Sequence, residues 1–309
     1  MRSYEPPRSE NDGENAQVER QSKVKSLEEA IQVIKDGATI AMTATHYNSV
    51  PMAAVRQIIR QGSKKLTVIP TPSAGLAIDL LIAAGSLEIC YVSYVGLEFL
   101  GLAPNFRRAV ESHSLKIFDV DEPTIIMGFK AAAAGIPFIP LPPYYKLTDF
   151  PRVNPLYREI TDPFTGKVAY AVPPLRPEVA IIHVQQCDPF GNARQLGGDH
   201  TESLIAKAAD HVIITTEEII PVEQIMSDPL RTTIPGILVD SVVKLPYGAH
   251  PGACPARYNY DEEHLKRYAS LAREEQTGKY IEEFVFAPKD HFEYLEKIGA
   301  RRLLELKIS

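Results

Sequence analysis

Residues 36–51 read Asp-Gly-Ala-Thr-Ile-Ala-Met-Thr-Ala-Thr-His-Tyr-Asn-Ser-Val-Pro and combine three signals. An apolar segment, Ala38–Thr43, predicts a buried strand, and the polar loop after it ends at Pro51. Proline suits the first position of a helix, and apolar residues on one face continue that helix to Gly62. A short apolar strand followed by an amphipathic helix is typical of a parallel sheet covered on both faces.

The same alternation extends in both directions from this stretch. Ser26 and Glu29 have the spacing of a capping box, and the helix that they begin keeps an apolar face to Ile34 before Gly37. Further strands are predicted at Leu66–Ile69, Leu87–Val92, Leu115–Val120, Val179–His183, His211–Thr215, Ile237–Asp240 and Leu303–Leu306. Further helices are predicted at Ala74–Ala84, Ala103–Ser112, Pro123–Ala134, Thr201–Ala209 and over most of the chain beyond Asp261. The pattern predicts an α/β protein with an open, mostly parallel sheet and helices on both faces.

The domain organisation follows from where this alternation stops. Residues 1–23 are polar and predict a disordered lead-in. Residues 24–309 are interpreted as one domain, interrupted at about 139–165 by an excursion rich in proline and tyrosine. Asp162-Pro-Phe-Thr-Gly166 is typical of a hairpin turn before a strand at Lys167–Val172.

Composition excludes several classes of protein. The chain has 309 residues and a net charge of −6, which argues against a nucleic-acid partner. No apolar run approaches the roughly 20 residues of a membrane helix, so no membrane association is expected. No histidine spacing suggests a metal, and three distant cysteines suggest neither a disulfide framework nor a zinc site. We therefore expect a cytoplasmic protein without a bound metal.

Two loops are rich in reactive side chains, and each follows a predicted strand. Thr43–Pro51 leads into a helix N-terminus, where free N–H groups favour a carboxylate or oxyanion. Asp119–Pro123 also joins a strand to a helix, and its acidic residues could simply complement the helix dipole. Judged by pattern alone, a polar connection and a helix cap are the favoured interpretations of the two loops.

Residues 36–51 also resemble the first signature of class I coenzyme A transferases, in which Asp-Gly is followed by two residues, three apolar residues, Gly-Gly-Phe, three residues, Gly, one residue and Pro. Other segments resemble the glutaconate-type α subunit of that family: Ala131–Pro140, Val179–Asn192 with its Asp-Pro-Phe-Gly-Asn loop, Thr216–Ile219 and Pro246–Pro251. The resemblance spans about Ser26 to Leu306 and implies the fold of that family.

The resemblance implies a reaction and a partner. Enzymes of this family move coenzyme A between carboxylic acids through a glutamate that forms a covalent thioester. In two-subunit members that glutamate lies in the β subunit, within a Ser-Glu-Asn-Gly motif, and this four-residue sequence does not occur here. The resemblance therefore implies an α subunit in an α2β2 or larger assembly, with a coenzyme A thioester as substrate and no bound cofactor. The predicted substrate-binding residues are Thr43, Ala44, Thr45, His46, Asn48, Ser73 and Tyr94.

Departures from the family pattern leave alternatives open. Thr43-Ala44-Thr45 replaces Gly-Gly-Phe, and Ser49-Val50 replaces an Arg-Lys pair that relatives often carry. Loss of that cationic pair argues against a small dicarboxylate substrate. Glu122, the predicted catalytic residue, resembles the general base of steroid-ring-opening hydrolases of the same fold. The α subunit of a hydrolase and a non-catalytic α-like scaffold are therefore the alternatives to a transferase.

Overall fold

The computed structural model describes residues 20–43, 46–71 and 73–308. The strands are β1 (Thr39–Thr43), β2 (Leu66–Thr71), β3 (Leu87–Val92), β4 (Lys116–Asp119), β5 (Ile139–Pro140), β6 (Arg158–Thr161), β7 (Val168–Val172), β8 (Val179–Cys187), β9 (Ala193–Arg194), β10 (His211–Ile219) and β11 (Ser241–Lys244). The helices are α1 (Leu27–Ile31), α2 (Met52–Gln61), α3 (Leu76–Ala83), α4 (Pro104–Glu111), α5 (Glu122–Ala133), α6 (Phe150–Val153), α7 (Glu202–Ala208), α8 (Val222–Ser227), α9 (Glu262–Arg273), α10 (Thr277–Ile281), α11 (His291–Ile298) and α12 (Ala300–Leu306).

The main sheet has the strand order β11-β10-β8-β1-β2-β3-β4, and all of these strands run parallel. Ile40 of β1 lies opposite Val68 of β2 on one side and Val179 of β8 on the other. The first half of the chain thus builds outward from β1 in one direction, and the second half builds outward from β8 in the other. Ligands of open α/β sheets bind at such a reversal of strand order, outside the carboxyl ends of the strands.

Alternate residues of β1 pack against different layers of helices, as the period of a strand requires. Ile40 and Met42 belong to a core cluster that includes Ile58 of α2, whereas Ala41 belongs to a second cluster with Phe129 of α5. Burying each large apolar side chain stabilises the fold by about 1.5–3 kcal/mol. The predicted fold class, with helices on both faces of a mostly parallel sheet, is confirmed.

Local signals in the sequence correspond to observed contacts. The Ser26 Oγ accepts from the Glu29 N–H at 3.2 Å, and the Glu29 carboxylate accepts from the Ser26 N–H at 2.9 Å, which confirms the capping box. Helix α1 ends at Ile31, although Ile34 beyond it is also fully buried. At the predicted hairpin turn, Asp162 and Lys167 are joined by a 2.9 Å backbone hydrogen bond between β6 and β7.

The excursion is more ordered than its sequence predicted. Strands β5, β7 and β6 form a separate three-stranded antiparallel sheet, with α6 in the connection between β5 and β6. Strand β7 corresponds to the predicted strand at Lys167–Val172, whereas β5 contains a proline and β6 has only four residues, so the sequence pattern did not reveal those two.

Two predicted strands are wrong. Ile237 is 91% exposed within a short 3₁₀ turn at Gly236–Leu238, and the strand begins only at Ser241. The turn is fixed because the Gly236 N–H donates to the Asn192 Oδ1 at 2.9 Å. The predicted strand at Leu303–Leu306 is instead part of α12. Leu303 and Leu306 are buried while Leu304 is 66% exposed, and a three-residue spacing of buried positions is helical.

Most of the predicted disordered lead-in, residues 1–19, lies outside the described residues. At its end the Lys23 Nζ donates to the carbonyl oxygens of Gly236 and Val239 at 2.7 and 2.6 Å. The chain is therefore attached to the domain from Lys23 onward. Over the described residues, every helix is too short or too polar to span a membrane.

Candidate active site

The loops that follow β1, β2 and β3 meet at the carboxyl edge of the sheet. The Gly96 N–H donates to the Ala74 carbonyl at 3.0 Å, and the Ala74 N–H donates to the Tyr94 carbonyl at 3.0 Å. A Cβ atom on Gly75 would lie 2.8 Å from the Gly96 carbonyl oxygen and 3.8 Å from that of His46. Glycine at position 75 therefore lets the three loops approach one another.

The loop after β1 is fixed by its own backbone and by a distant segment. The Thr43 Oγ1 donates to the Ser49 carbonyl at 3.1 Å, so this buried hydroxyl holds the loop closed. The Ala253 N–H donates to the Tyr47 carbonyl at 2.7 Å, and the Ala253 carbonyl accepts from the Ser49 N–H at 2.8 Å. Asn48, between them, is exposed at the surface. Of the predicted residues in this loop, Ala44 and Thr45 lie outside the described residues.

His46 lies at the surface, paired with a residue that the sequence did not single out. Its Nδ1 contacts the Glu98 Oε1 in a hydrogen-bonded pair, and both side chains are partly exposed. His46 and Glu98 both have positive φ, at 55° and 50°, so two strained backbone positions bring them together. Tyr47 instead points inward, where its hydroxyl donates to the Leu97 carbonyl at 2.6 Å. The pairing leaves His46 as a positioned group rather than a free base.

Ser73 and Tyr94 complete the predicted substrate-binding set, and they differ in exposure. Ser73 is buried between β2 and α3. Tyr94 is partly exposed, and its ring lies over Gly96, since a Cβ there would be only 2.0 Å from the Tyr94 hydroxyl oxygen. Burial, followed by the charge of Glu98, raises the pKa of Tyr94. Its hydroxyl therefore remains protonated at neutral pH and is able to donate a hydrogen bond.

Glu122 is the first residue of α5 and is exposed at the same edge, beyond β3. Within the described parts of the chain, its carboxylate makes no hydrogen bond or ion pair. The residue before it is firmly held, because the two Asp121 carboxylate oxygens accept from the Tyr145 hydroxyl at 2.9 and 2.7 Å. The Asp121 Oδ1 also accepts from the Thr124 N–H at 3.0 Å, which caps the helix.

The excursion supplies the groups that hold this helix start. The Tyr157 hydroxyl lies 2.9 Å from the Thr124 Oγ1, and the Asn154 Nδ2 donates to the Asp119 carbonyl at 2.6 Å. Burial raises the pKa of Tyr157 to about 12 and also raises that of Tyr145, so both hydroxyls stay protonated as donors. Glu122 thus lies on a rigid support, and its carboxylate is unpaired among the residues that the structure describes.

Glu202 also lies at the carboxyl edge, and the sequence analysis did not predict it as a site residue. Glu202, the first residue of α7, is buried, and its Oε2 accepts from the His200 and Thr201 N–H groups at 2.8 and 3.0 Å. The Thr201 Oγ1 lies 2.6 Å from the Thr71 Oγ1 at the end of β2. Burial raises the pKa of Glu202, and the neighbouring Asp199 adds to that shift. The glycine pair at 197–198 was the one available signal, because consecutive glycines mark a loop.

Hydrogen bonds to the Glu217 carboxylate hold the segment Pro246–Pro251 in place. The Glu217 carboxylate accepts from the Tyr247 and Gly248 N–H groups at 2.7 and 3.2 Å, and from the Tyr258 hydroxyl at 2.7 Å. The buried His183 Nε2 lies 2.8 Å from the same carboxylate. A Cβ on Gly248 would lie 2.6 Å from the His183 ring, so this close packing requires glycine.

Within the described ranges, two largely buried groups have the residue types that bind metals. They are His183, Glu217 and Cys254, and His250, Asp261 and His264. In each group ligand atoms already have protein partners: the Glu217 carboxylate accepts the donors named above, the His250 Nδ1 lies 2.6 Å from the Tyr294 hydroxyl, and the His264 Nε2 lies 2.9 Å from the Tyr280 hydroxyl. Satisfied hydrogen bonds favour a structural role, and the absence of a bound metal stays a prediction.

Comparisons with known proteins agree on one family. A family model described as "Coenzyme A transferase" matches residues 24–245. A glutaconate CoA-transferase subunit from Acidaminococcus fermentans is 38% identical over 93% of this chain and 95% of that protein. The crystal structure of that enzyme superposes with a TM-score of 0.87, covering 93% of this chain and 96% of the other at 37% identity.

Two further relatives differ in what their names state. An uncharacterised protein from Archaeoglobus fulgidus is 39% identical over 94% of this chain, which spans 66% of that protein's length. The "Cholesterol ring-cleaving hydrolase IpdA subunit" from Rhodococcus jostii is 28% identical over 89% of this chain and 96% of that subunit. Both transferase and hydrolase subunits thus share this chain's length and sequence pattern.

Proposed function

This chain belongs to the coenzyme A transferase family, and on that premise we propose that it is the α-type subunit of a heteromeric enzyme that moves coenzyme A between carboxylic acids. Its partner is a β-type subunit that supplies the relay glutamate, in an α2β2 or larger assembly. The substrates are an acyl-CoA thioester and a carboxylic acid, the enzyme needs no bound cofactor, and it works in the cytoplasm.

The observation that carries this proposal is the agreement in fold over nearly the full length of both chains with glutaconate CoA-transferase, at a TM-score of 0.87. The shape of the candidate site supports it. His46, Asn48, Tyr94 and Glu122 are all exposed at the carboxyl edge. A second subunit that covers this edge would exclude water, which strengthens every electrostatic interaction in the site.

The proposed reaction divides one transfer into balanced steps. The partner's glutamate carboxylate attacks the thioester carbonyl, which forms an acyl-glutamyl anhydride and releases the coenzyme A thiolate. The thiolate then attacks the glutamyl carbonyl, releasing the first carboxylic acid as its carboxylate and leaving a glutamyl thioester. The acceptor carboxylate repeats both steps in reverse. The role of this chain is to bind the acyl group and to stabilise the oxyanion at each attack with N–H and hydroxyl donors, among them Tyr94.

Assembly provides the experiment. We expect the purified chain alone to transfer no coenzyme A, and the complex isolated with its partner to transfer it between acyl-CoA and labelled carboxylic acids. The assay is the appearance of label in the thioester pool. Robust transfer by the chain alone would contradict the proposal, because the relay group would then have to lie within this chain.

Hydrolysis of a cyclic acyl-CoA thioester is the second candidate, and Glu122 is the observation that favours it. Its carboxylate is exposed and lacks a partner among the described residues, so it is accessible to a substrate or a water molecule. The two functions differ in their need for an acceptor acid. Opening of the ring in the absence of any carboxylic acid, seen by mass spectrometry as the addition of one water to an intact thioester, would favour hydrolysis, whereas strict dependence on an acceptor would favour transfer.

A further inference from the structure

The contact between His46 and Glu98 joins the loop after β1 to the loop after β3. The residues beside them are also joined, because the Tyr47 hydroxyl donates to the Leu97 carbonyl at 2.6 Å. The backbone closes the Glu98 loop, since the Leu97 N–H donates to the Gly101 carbonyl at 2.7 Å and the Gly101 N–H donates to the Glu98 carbonyl at 2.8 Å. The fold around the two side chains therefore brings them together.

Both members of this pair have a positive φ, which a residue with a side chain adopts at a cost. The His46 and Glu98 side chains are 48% and 32% exposed, and an exposed ion pair contributes little to stability. Stability therefore does not account for two strained positions that meet in one contact. Such strain is concentrated at functional sites, and this pair lies at the carboxyl edge, where parallel sheets bind ligands.

The contact determines which nitrogen of the uncharged His46 ring carries the hydrogen atom. A carboxylate only accepts hydrogen bonds, so the His46 Nδ1–H donates to the Glu98 Oε1. The Nε2 is then an acceptor, and it makes no hydrogen bond to any residue that the structure describes. The pair thus presents one acceptor atom at the surface, turned away from Glu98.

An acceptor at this edge discriminates among the groups of an acyl-CoA thioester. The thioester carbonyl, the oxyanion that develops from it and a carboxylate are themselves acceptors, so none of them can pair with the Nε2. The amide N–H of the coenzyme A arm on the sulfur side is the donor nearest to the thioester that every acyl-CoA carries. This amide is therefore the complementary group.

We propose that Glu98 is a positioning residue that keeps the His46 Nε2 as an acceptor, and that His46 binds the amide N–H of the coenzyme A arm beside the thioester. The proposal rests on the proposed function, because it assumes that the chain binds an acyl-CoA. It goes beyond that function by assigning the pair to the coenzyme A arm instead of the acyl group.

The test compares two short acyl thioesters, one of N-acetylcysteamine and one of O-acetyl-2-mercaptoethanol. The first carries the amide N–H, and the second has an ester oxygen in its place. Dissociation constants are measured by calorimetry on the complete complex, alongside kcat/KM, at pH 8, because the acceptor is the uncharged ring. We expect the amide form to be preferred about three- to tenfold, as for one net hydrogen bond.

Three substitutions separate positioning from a purely structural role. His46→Asn tolerates the positive φ but does not reach the position of the Nε2, so it should abolish the preference. His46→Gln places an amide oxygen near that position and should keep part of the preference. Glu98→Gln can donate to the Nδ1 as well as accept from it, so the preference should fall. In the His46→Asn background, Glu98→Gln should have no further effect on the preference.

Glu111→Gln is the matched control, because Glu111 is also exposed and paired with a basic side chain, Arg107, but lies at the last residue of α4. It should keep the wild-type preference. Equal affinity of the wild-type complex for the two thioesters would overturn the proposal, and so would an effect of Glu98→Gln that persists in the His46→Asn background. Selective binding without transfer would support the proposal while contradicting the proposed function. Transfer without selectivity would do the reverse.

Discussion

Glu122 owes its position to the residue before it, since the Tyr145 hydroxyl holds both oxygens of the Asp121 carboxylate. Exchange of Glu122 for glutamine keeps its size and most of its hydrogen bonding but removes a base. If Glu122 is the general base of the hydrolase alternative, turnover by the complex should fall by about 10²-fold or more, the usual contribution of a general base. Steady-state kinetics with saturating and limiting substrate would measure this loss.

The control for that substitution is Glu88→Gln, an exposed glutamate on β3. It should leave the rate unchanged. If Glu122→Gln also kept the full rate, hydrolysis would lose its main support and coenzyme A transfer would be the better account. A residue that only complements the helix dipole would show its effect in stability, at about 0.3–1 kcal/mol.

At the scale of elements, the excursion acts as a support for the start of α5. Tyr145 is fully buried and donates to Asp121, whereas its neighbour Tyr144 stacks against it with a ring separation of 5.0 Å and is 51% exposed. Tyr145→Phe removes one donor from the half-buried Asp121 carboxylate, which keeps only the Thr124 N–H, so we expect a loss of about 1–3 kcal/mol in the free energy of unfolding. Chemical denaturation would measure it.

Tyr144→Phe provides the matched comparison, because it removes a hydroxyl from a ring of the same type in the same segment. Its effect should stay within about 0.5 kcal/mol, as for most surface substitutions. Equal effects of the two substitutions would show that the hydrogen bond to Asp121 does not stabilise the helix start.

The sequence predicted a strand or a helix correctly where a single local signal, such as an apolar run or a capping box, was sufficient to identify it. Continuous apolar runs identified β1, β2 and β3, and the capping box identified the start of α1. The prediction failed at Leu303–Leu306, because a short apolar run is compatible with either a strand or a helix. The exposure of Leu304 to solvent, which only the folded structure shows, identifies the segment as helical. The excursion shows a second limit, because its strands exist through pairing with one another rather than through a local period.

The candidate site was predictable in outline but not in its details. Its place after β1 followed from the rule for parallel sheets, and His46 and Asn48 are indeed at that edge. The partners of these groups come from distant parts of the chain. Glu98 lies 52 residues from His46, and the burial of Glu202 depends on how separate segments close around it. No local pattern encodes such contacts.

For the whole molecule, the C-terminal helices are joined to the sheet domain by a buried cluster of histidines around Arg56. The Arg56 Nη1 donates to the His250 carbonyl at 3.0 Å, and its Nη2 lies 3.4 Å from the His291 Nδ1. The guanidinium also lies 3.6 Å from the centre of the Tyr294 ring. A fully buried positive charge beside these rings makes a second positive charge there unfavourable.

This arrangement predicts that the folded protein loses stability in mild acid. Burial, followed by the charge of His250, lowers the pKa of His264 to about 3. Burial, followed by the charge of Arg56, lowers the pKa of His291 to about 3. An unfolded histidine has a pKa near 6.5, so the unfolded chain binds more protons than the folded chain between about pH 3 and 6.5. The stabilisation is therefore complete above pH 6.5 and is lost as the pH falls, by roughly 1.4 kcal/mol per pH unit for each histidine.

Unfolding by urea at a series of pH values from 7.5 to 5 would measure this dependence, and we expect roughly 4 kcal/mol to be lost over the range from the two histidines together. His264→Gln should reduce the slope by about one proton, because it removes one group that titrates only on unfolding. His113→Asn should leave the slope unchanged, since His113 is exposed and asparagine tolerates its positive φ of 55°. A stability that stayed constant between pH 7.5 and 5 would contradict the prediction. It would mean that the folded protein binds as many protons as the unfolded chain over this range, so that the buried rings become charged without loss of stability.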